Sequence, residues 1–468
     1  MDNLINKIFN KYFKNSKFTC CLNDIFEILN LIIYLFIDYI NLGILHLNNP
    51  DFHKSINNEI KDIINIQLND NNITVCDNDI SICICIAEQI IFKYLIPPRS
   101  YKDNSIKYIK TEYQINKLKN QLDYLKNVYQ PEQRTDEWYL FRHNVITASN
   151  IWKAFSTVKT FEQLVIEKCK PIDINKYNYV NEQSPMHWGQ KYEPVSTQYY
   201  EFKYNTIVDE FGCIPHKYFK YLAASPDGIN MLEDSYLFGR MLEIKNIFNR
   251  VINGIPKYEY WIQMQIQMEV CDLNECDFLE TRFLEYYNEE EFLEDYYLEI
   301  DISSNHNKNI MKTKDNKFKG MIIAFFKDNK PYYEYCPFAC DYNTLIKWQE
   351  DILEKNNNLE WFKNIYYRLD EISCVLVLRN KHWFNSALPI IRELWDTINE
   401  KKNDTEFMES IIKKDNKKDN KKNNKKIIVN KISNIEIKAS PCLIDTSLYD
   451  DSISYKLEDI CKNTINNM

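Results

Sequence analysis

The chain has 468 residues, of which 45% are hydrophobic and 27% are charged. This composition provides a sizeable core and excludes global disorder, and the small number of glycines, 7, excludes collagen-like architectures. The formal net charge of −9 argues against a protein that simply coats phosphate backbones, but it leaves local contacts with nucleic acid open.

Residues 1–125 are predicted to form a helical N-terminal region of unknown role. The most apolar stretch runs from Phe26 to Leu47, and its uncharged core between Glu27 and Asp38 is only about ten residues long. A membrane span needs about twenty apolar residues. A buried helix is therefore the favoured interpretation, and a membrane anchor is the alternative.

The lack of a recognisable secretory signal and the distribution of cysteines predict an intracellular protein. The polar N-terminus lacks the apolar segment of a secretory signal, which indicates that the chain is not secreted. The 14 cysteines are scattered over the whole length, as is typical of reduced thiols. No membrane partner is predicted.

The remainder of the chain divides by pattern. Helical segments alternate with short β-rich runs from about residue 126 to 340, which predicts an α/β or α+β core. Residues 341–400 are predicted as a helical and mixed continuation of that core. A Lys/Asn/Asp-rich flexible linker is predicted at 401–430, because such a segment buries too little apolar area to order itself, and a C-terminal tail at 431–468.

Two neighbouring motifs in the core carry candidate chemistry. Asp227 lies in the Pro-Asp-Gly turn that ends a run of small residues, and Glu243 and Lys245 stand two apart in an apolar β-type run. Side chains two apart in a strand emerge on the same face, so the three groups are predicted to meet on one face of a sheet. Two carboxylates repel one another unless a hard cation lies between them, so Mg²⁺ or Mn²⁺ is the expected ligand.

This pattern alone is weak, since a surface strand often carries a Glu-x-Lys pair without any catalytic role. Three neighbouring segments favour the functional interpretation. Glu193 lies on a predicted helix that could direct a third carboxylate at the cation. Arg142 precedes a predicted helix start, and Ser149 lies near that start. The two residues form a plausible phosphate-binding site, the phosphate seat. Glutamines at 263, 265 and 267 recur on another predicted helix. A helix in the core rarely contains several amide side chains so close together, which favours a functional role.

These blocks, in this order and over about residues 134–283, resemble the YqaJ-type viral recombinases, which are related to phage lambda exonuclease within the PD-(D/E)xK nuclease superfamily. The resemblance implies a restriction-endonuclease-like core with a central mixed sheet flanked by helices, preceded here by a helical extension. It also implies a large-DNA-virus origin, and hence a location in the infected host cell, with packaging in the virion as an alternative.

The resemblance implies a role for each matching residue. Asp227, Glu243 and Glu193 would bind the metal, together with the main-chain carbonyl of Ile244, and two ions are expected. Lys245 would serve the attacking water. One of Gln263 and Gln265 would be the active-site glutamine, and Gln265 is preferred. The terminal phosphate or the DNA would be held by Arg142, Ser149 and Gln263.

The predicted function is a Mg²⁺- or Mn²⁺-dependent deoxyribonuclease, a 5′→3′ exonuclease that acts on the ends of linear duplex DNA in viral recombination or repair. An endonuclease or junction-cutting nuclease is one alternative. A catalytically inactive DNA-binding or virion structural protein is another. A single-strand annealing recombinase and further copies of this chain are candidate partners.

Overall fold

The computed structural model describes most of the chain. The described residues are 18–71, 73–102, 110–173, 181–296, 310–327, 330–411 and 413. The chain divides into two compact units after Met408, and the helices and strands below belong to the first unit. The boundaries predicted within that unit, at residues 125, 340 and 400, remain proposals.

The N-terminal region is helical, as predicted. Its described helices are α1 (Leu22–Gly43), α2 (Phe52–Asp70) and α3 (Asp77–Tyr94). Apolar residues recur in α1 at intervals of three and four, so that Ile25, Leu29, Ile32 and Phe36 share one fully buried face. That face packs mainly against α3.

The predicted buried helix coincides with α1. By length and composition the segment Asn23–Asn48 could cross a membrane, a test that the core helix of a soluble protein also passes. Tyr34 and Leu42 on the outer side are 66% and 91% exposed, whereas the inner side packs against protein. Only 39% of the most apolar part of this segment is buried, so α1 packs against protein on one side and is exposed on the other.

The other described elements alternate between helix and strand. The helices are α4 (Glu112–Asn127), α5 (Asp136–His143), α6 (Val158–Cys169), α7 (Pro185–Tyr204), α8 (Tyr258–Cys271), α9 (Glu289–Glu294), α10 (Tyr342–Lys355) and α11 (Lys381–Asn403). The strands are β1 (Ile146–Thr147), β2 (Val208–Asp209), β3 (Ile214–Pro215), β4 (Leu222–Ala224), β5 (Gly228–Asn230), β6 (Met241–Asn246), β7 (Glu275–Glu285), β8 (Lys319–Lys327), β9 (Lys330–Tyr335) and β10 (Glu360–Leu378).

These strands form two sheets. The large sheet has the order β2-β5-β6-β7-β10-β8-β9, and the small sheet has the order β1-β4-β3. β6 and β7 are parallel, whereas the other neighbours in the large sheet are antiparallel. This mixed sheet flanked by helices confirms the predicted α/β class and fits a restriction-endonuclease-like fold.

Helix α7 covers one face of the large sheet. It begins after Ser184, whose hydroxyl accepts a hydrogen bond from the His187 amide, and it ends at Asn205 in the left-handed conformation. Tyr192 is fully buried on this helix and stacks on Phe283 of β7, with ring centroids 4.4 Å apart. Helix α8 contacts strands of both sheets.

A buried ionic network stabilises the start of strands β6 and β7. Arg240 and Asp277 have no exposed side-chain surface, and Arg240 Nη1 donates to Asp277 Oδ1 at 3.2 Å. Arg240 Nε donates to Glu275 Oε2 at 2.9 Å, and Tyr200 Oη donates to Asp277 Oδ2 at 2.6 Å. Each charge is therefore compensated by a partner within the protein.

Arg240→Met is expected to lower the free energy of unfolding by about 3–5 kcal/mol, because it leaves the buried Asp277 carboxylate without its cation. Urea unfolding measures the change. The exposed pair Lys119–Glu233 provides a matched control, since Lys119→Met removes a 2.6 Å ion pair at 39% and 56% exposure and should cost at most about 1 kcal/mol. Equal losses for the two variants would contradict the prediction.

Part of the predicted linker is helical. Helix α11 runs to Asn403, and residues 405–411 also have helical backbone. The rest of the predicted linker and the tail at 431–468 lie outside the described residues, apart from residue 413.

Candidate active site

Asp227 lies where the chain passes from one sheet to the other. β4 belongs to the small sheet and β5 to the large one, and Ser225, Pro226 and Asp227 connect them. Gly228 allows this crossing, because a Cβ there would lie 2.2 Å from Val208 Cγ1. Asp227 Oδ2 accepts a hydrogen bond of 2.7 Å from the Ile244 amide, which fixes the carboxylate against β6.

Strand β6 presents Glu243 and Lys245 on one face, as the alternation predicted. Leu242 and Ile244 point to the other face and join the core under α7. Glu243 has no exposed side-chain surface, and the Lys245 ammonium, 24% exposed, donates to Glu243 Oε1. The strand therefore holds one carboxylate and one ammonium as a pair beside Asp227.

Two glutamines of α8 fix the Glu243 carboxylate. Gln263 Nε2 donates to Oε1 and Gln267 Nε2 donates to Oε2, both at 2.7 Å. Gln267 Nε2 also lies 3.2 Å from the Ser225 carbonyl oxygen, so it links the segment before Asp227 to Glu243. Each carboxylate oxygen thus receives an amide hydrogen bond.

The structure places Gln265 outside this cluster. Gln265 Nε2 donates to the Leu378 carbonyl at 3.0 Å, and its Oε1 accepts from the Asn380 amide at 2.7 Å. With 3.6 residues per turn, residues two apart lie on roughly opposite sides of a helix and residues four apart on the same side. Gln263 and Gln267 are therefore the amides in the site, which corrects the preference for Gln265 as the active-site glutamine.

Glu193 reaches the site from α7. Its Oε2 lies 3.3 Å from Arg134 Nη2, and its side chain is 25% exposed. Glu193 lines the same cavity of about 380 Å³ as Asp227, Lys245 and Ile244, the residue whose carbonyl is a predicted ligand. The four residues therefore share one cavity, although Glu193 is paired with an arginine.

Burial and neighbouring charges shift the pKa values of this cluster. Burial, and after it the charge of Glu243, raises the pKa of the Asp227 carboxyl well above its ordinary value. Burial also raises the pKa of Glu193, against the opposing effect of Arg134. Burial disfavours the Lys245 ammonium, but Glu243 and Asp227 outweigh it together and raise the pKa of Lys245. A bound cation would relieve the repulsion between Asp227 and Glu243.

The fit to a divalent cation rests on the donor types. Among the residues that the structure describes, no three histidine, cysteine, aspartate or glutamate side chains converge in a ready-made metal cage. The Glu243 carboxylate accepts hydrogen bonds from Lys245 and the two glutamines, and the Glu193 carboxylate accepts one from Arg134. Carboxylate and carbonyl oxygens are nonetheless the ligands that Mg²⁺ and Mn²⁺ prefer. The set therefore fits a hard cation if the ion replaces part of the present contacts of Glu193 and Glu243.

The residues of the predicted phosphate seat contact one another near this cluster. Arg142 Nη2 donates to Ser149 Oγ at 2.9 Å, and Arg142 Nη1 lies 3.5 Å from Ser225 Oγ. The guanidinium lies over the Trp138 ring, 4.2 Å from its centroid. Because Ser225 is two residues before Asp227, the seat and the acidic cluster are held at a fixed spacing by one short segment.

Sequence reasoning named Gln267 among three glutamines without giving it a role, and it missed Ser225. The signal for Gln267 was present, because it lies four residues after Gln263 and therefore on the same side of a helix. Ser225 carried no comparable signal, since its proximity to Arg142 depends on how β1 pairs with β4 across the chain. The contacts of Gln267 with Glu243 and of Ser225 with Arg142 both join segments that are distant in the sequence.

Comparisons with known proteins agree with the resemblance. Residues 137–274 match the model of the YqaJ-like viral recombinase domain, which confirms the predicted family likeness over that stretch. An uncharacterized protein of Acanthamoeba polyphaga mimivirus is 29% identical over 350 residues, which span 67% of this chain and 61% of that relative.

Two solved structures are also similar. An alkaline exonuclease from Laribacter hongkongensis is 17% identical, and the match covers 60% of this chain and 99% of that chain at a TM-score of 0.32. The same exonuclease in complex with dAMP matches at 17% identity, the same coverages and a TM-score of 0.31.

Proposed function

We propose that the YqaJ-like viral recombinase domain of this chain is a DNA nuclease that hydrolyses phosphodiester bonds with Mg²⁺ or Mn²⁺. It acts as a 5′→3′ exonuclease on the ends of linear duplex DNA in viral recombination or repair. The observation that carries the proposal is the meeting of Asp227, Glu243 and Lys245 beside one cavity, with Arg142 a short segment away.

Asp227, Glu243, Glu193 and the Ile244 carbonyl are the groups that would hold the cations, of which we expect two. When bound, the cations would lower the pKa of water and stabilise negative charge on the phosphate oxygens. The donor set consists of oxygen atoms, in agreement with that role.

The protein groups supply orientation and charge. The Lys245 ammonium is held by Glu243 at the edge of the cavity, where it can donate a hydrogen bond to the attacking oxygen and balance charge at phosphorus. Gln263 and Gln267 keep the Glu243 carboxylate in one orientation. Arg142, Ser149 and Ser225 would hold a terminal phosphate, so that the next phosphodiester reaches the acidic cluster.

Degradation of linear and circular duplex DNA tests the proposal. With Mg²⁺ or Mn²⁺ the chain should degrade the linear duplex and leave the circle intact, and chelation by EDTA should stop the reaction. Cleavage of the circle would indicate an endonuclease. DNA binding without degradation, unchanged by metal or by Asp227→Asn, would indicate an inactive DNA-binding or virion structural protein.

The two faces of α8 provide a separate prediction. Gln263→Leu should reduce the rate of degradation while it leaves the protein folded, because Gln263 contacts Glu243. Gln265→Leu should instead lower the free energy of unfolding by about 1–3 kcal/mol, since it leaves a buried amide and a carbonyl without partners. Rates per folded molecule and urea unfolding separate the two effects, and the opposite assignment would contradict our placement of the site.

The proposed partners follow from the proposed function. Ends of double-stranded DNA are the proposed substrate, and an annealing recombinase or further copies of this chain remain predictions. The mimivirus relative supports the proposal that this chain acts in the host cell of a large DNA virus.

A further inference from the structure

Phe248 is an aromatic residue that lines the cavity of the candidate active site and has no role in the proposed chemistry. Phe248 follows β6 by two residues, lines the cavity and is 56% exposed. Trp188 of α7 supports the Phe248 ring edge-on, with centroids 5.2 Å apart and an interplanar angle of 73°. An edge-on support fixes the ring while it leaves much of its surface to a ligand.

The segment that carries Phe248 is fixed to the sheet. The Ile247 amide donates to the Thr281 carbonyl at 2.7 Å, which extends the pairing of β6 with β7 by one residue. Arg250 pairs with the fully buried carboxylate of Glu280. Gly254 has a φ of +70° and lies against β10, where a Cβ would be 3.3 Å from Ser373 Oγ. The segments before and after Phe248 are therefore anchored to the sheet.

Cationic groups surround the same cavity. Arg250 and Lys257 line it together with Phe248, and Tyr260 lies beneath the Lys245 ammonium at 5.0 Å and the Arg250 guanidinium at 5.6 Å. Asp227 and Glu193 lie in the other part of the lining. One cavity therefore combines a cation site, positive charge and an exposed aromatic ring.

Resting on the proposed function, we infer that Phe248 is a stacking platform for the nucleobase next to the scissile phosphate, and that Lys257 balances the charge of that strand. An aromatic ring beside positive charge is the arrangement that binds single nucleic-acid strands, since every base presents a π-face. Stacking of this kind tolerates any base, as an exonuclease that removes successive nucleotides requires. The volume of about 380 Å³ lies in the range of pockets that hold small ligands.

Fluorescence of 2-aminopurine tests this inference through binding. The full chain carrying Lys245→Met is titrated with linear duplexes that have a 5′-phosphate and a single 2-aminopurine at one of the first four nucleotides of the 5′ strand. We expect one position to change in fluorescence on binding. The change should disappear with Phe248→Ala, persist with Phe248→Tyr, and persist with Val251→Ala, an exposed position of the same loop.

An abasic nucleotide at the responding position provides the second readout. Phe248→Ala should weaken binding of the intact duplex about tenfold and should hardly affect the abasic duplex, because the base is the missing partner. Equal losses for both duplexes, or a fluorescence change that survives Phe248→Ala, would overturn the inference. Failure of the proposed function is read separately, as absence of degradation by the unsubstituted chain with Mg²⁺.

Discussion

Lys245→Met should reduce the degradation of linear duplex DNA by roughly a hundredfold to ten-thousandfold, the range associated with the loss of one positioned proton donor or acceptor. The structure gives the reason. Lys245 is the ammonium that β6 places beside Glu243 and Asp227, and it lines the cavity that the scissile phosphate would enter. Methionine keeps the length of the side chain but neither donates a hydrogen bond nor carries charge.

The rate should fall through catalysis more than through binding. Lys245 would act on the oxygen and the charge that develop during reaction, so kcat should fall while KM for duplex ends changes little. Single-turnover rates over a range of enzyme concentrations separate these effects. Lys119→Met, which removes an exposed lysine of α4, is the control and should retain full activity.

A second outcome of the same experiment concerns the fold. Lys245→Met removes the counter-charge of the fully buried Glu243, so some loss of stability is expected, although the two glutamines still bind that carboxylate. Rates must therefore be normalised to folded protein. Full activity in Lys245→Met would show that the ammonium has no role in catalysis.

The strand-level geometry of the site could be predicted from the sequence because it depends on local periodicity. The alternation of Leu242, Glu243, Ile244 and Lys245 is a property of β6 alone, and the Pro-Asp-Gly turn marks the end of the preceding run. These two features were sufficient to predict that Asp227, Glu243 and Lys245 meet. The hydrogen bond from the Ile244 amide to Asp227 agrees with that prediction.

The remaining contacts depend on how distant segments pack, which periodicity does not encode. Gln265 and Gln263 are chemically identical in the sequence, and only the orientation of α8 between the two sheets decides that Gln263 contacts Glu243. Likewise, the pairing of Glu193 with Arg134 joins α7 to the turn before α5. Arg134 itself has a φ of +69°, in the left-handed region that few residues other than glycine adopt.

The second large effect is expected from a substitution of Arg142 in the phosphate seat. Arg142→Ala should slow degradation of 5′-phosphorylated linear DNA by roughly tenfold to a hundredfold, the loss expected when charge-assisted hydrogen bonds to a phosphate are removed. The guanidinium is held over Trp138 and directed at Ser149 and Ser225, so it is already oriented before a ligand binds.

The same substitution should have little effect on 5′-hydroxyl ends, which lack the anion that Arg142 would bind. The ratio of the two rates, rather than either rate alone, is therefore the decisive measurement, because a general loss of folding or of DNA affinity would lower both. Ser225→Ala should shift this ratio in the same direction but less, since its hydroxyl is an uncharged partner at 3.5 Å from the guanidinium. An unchanged ratio in Arg142→Ala would show that the arginine orders the turn before Asp227 and does not select the DNA end.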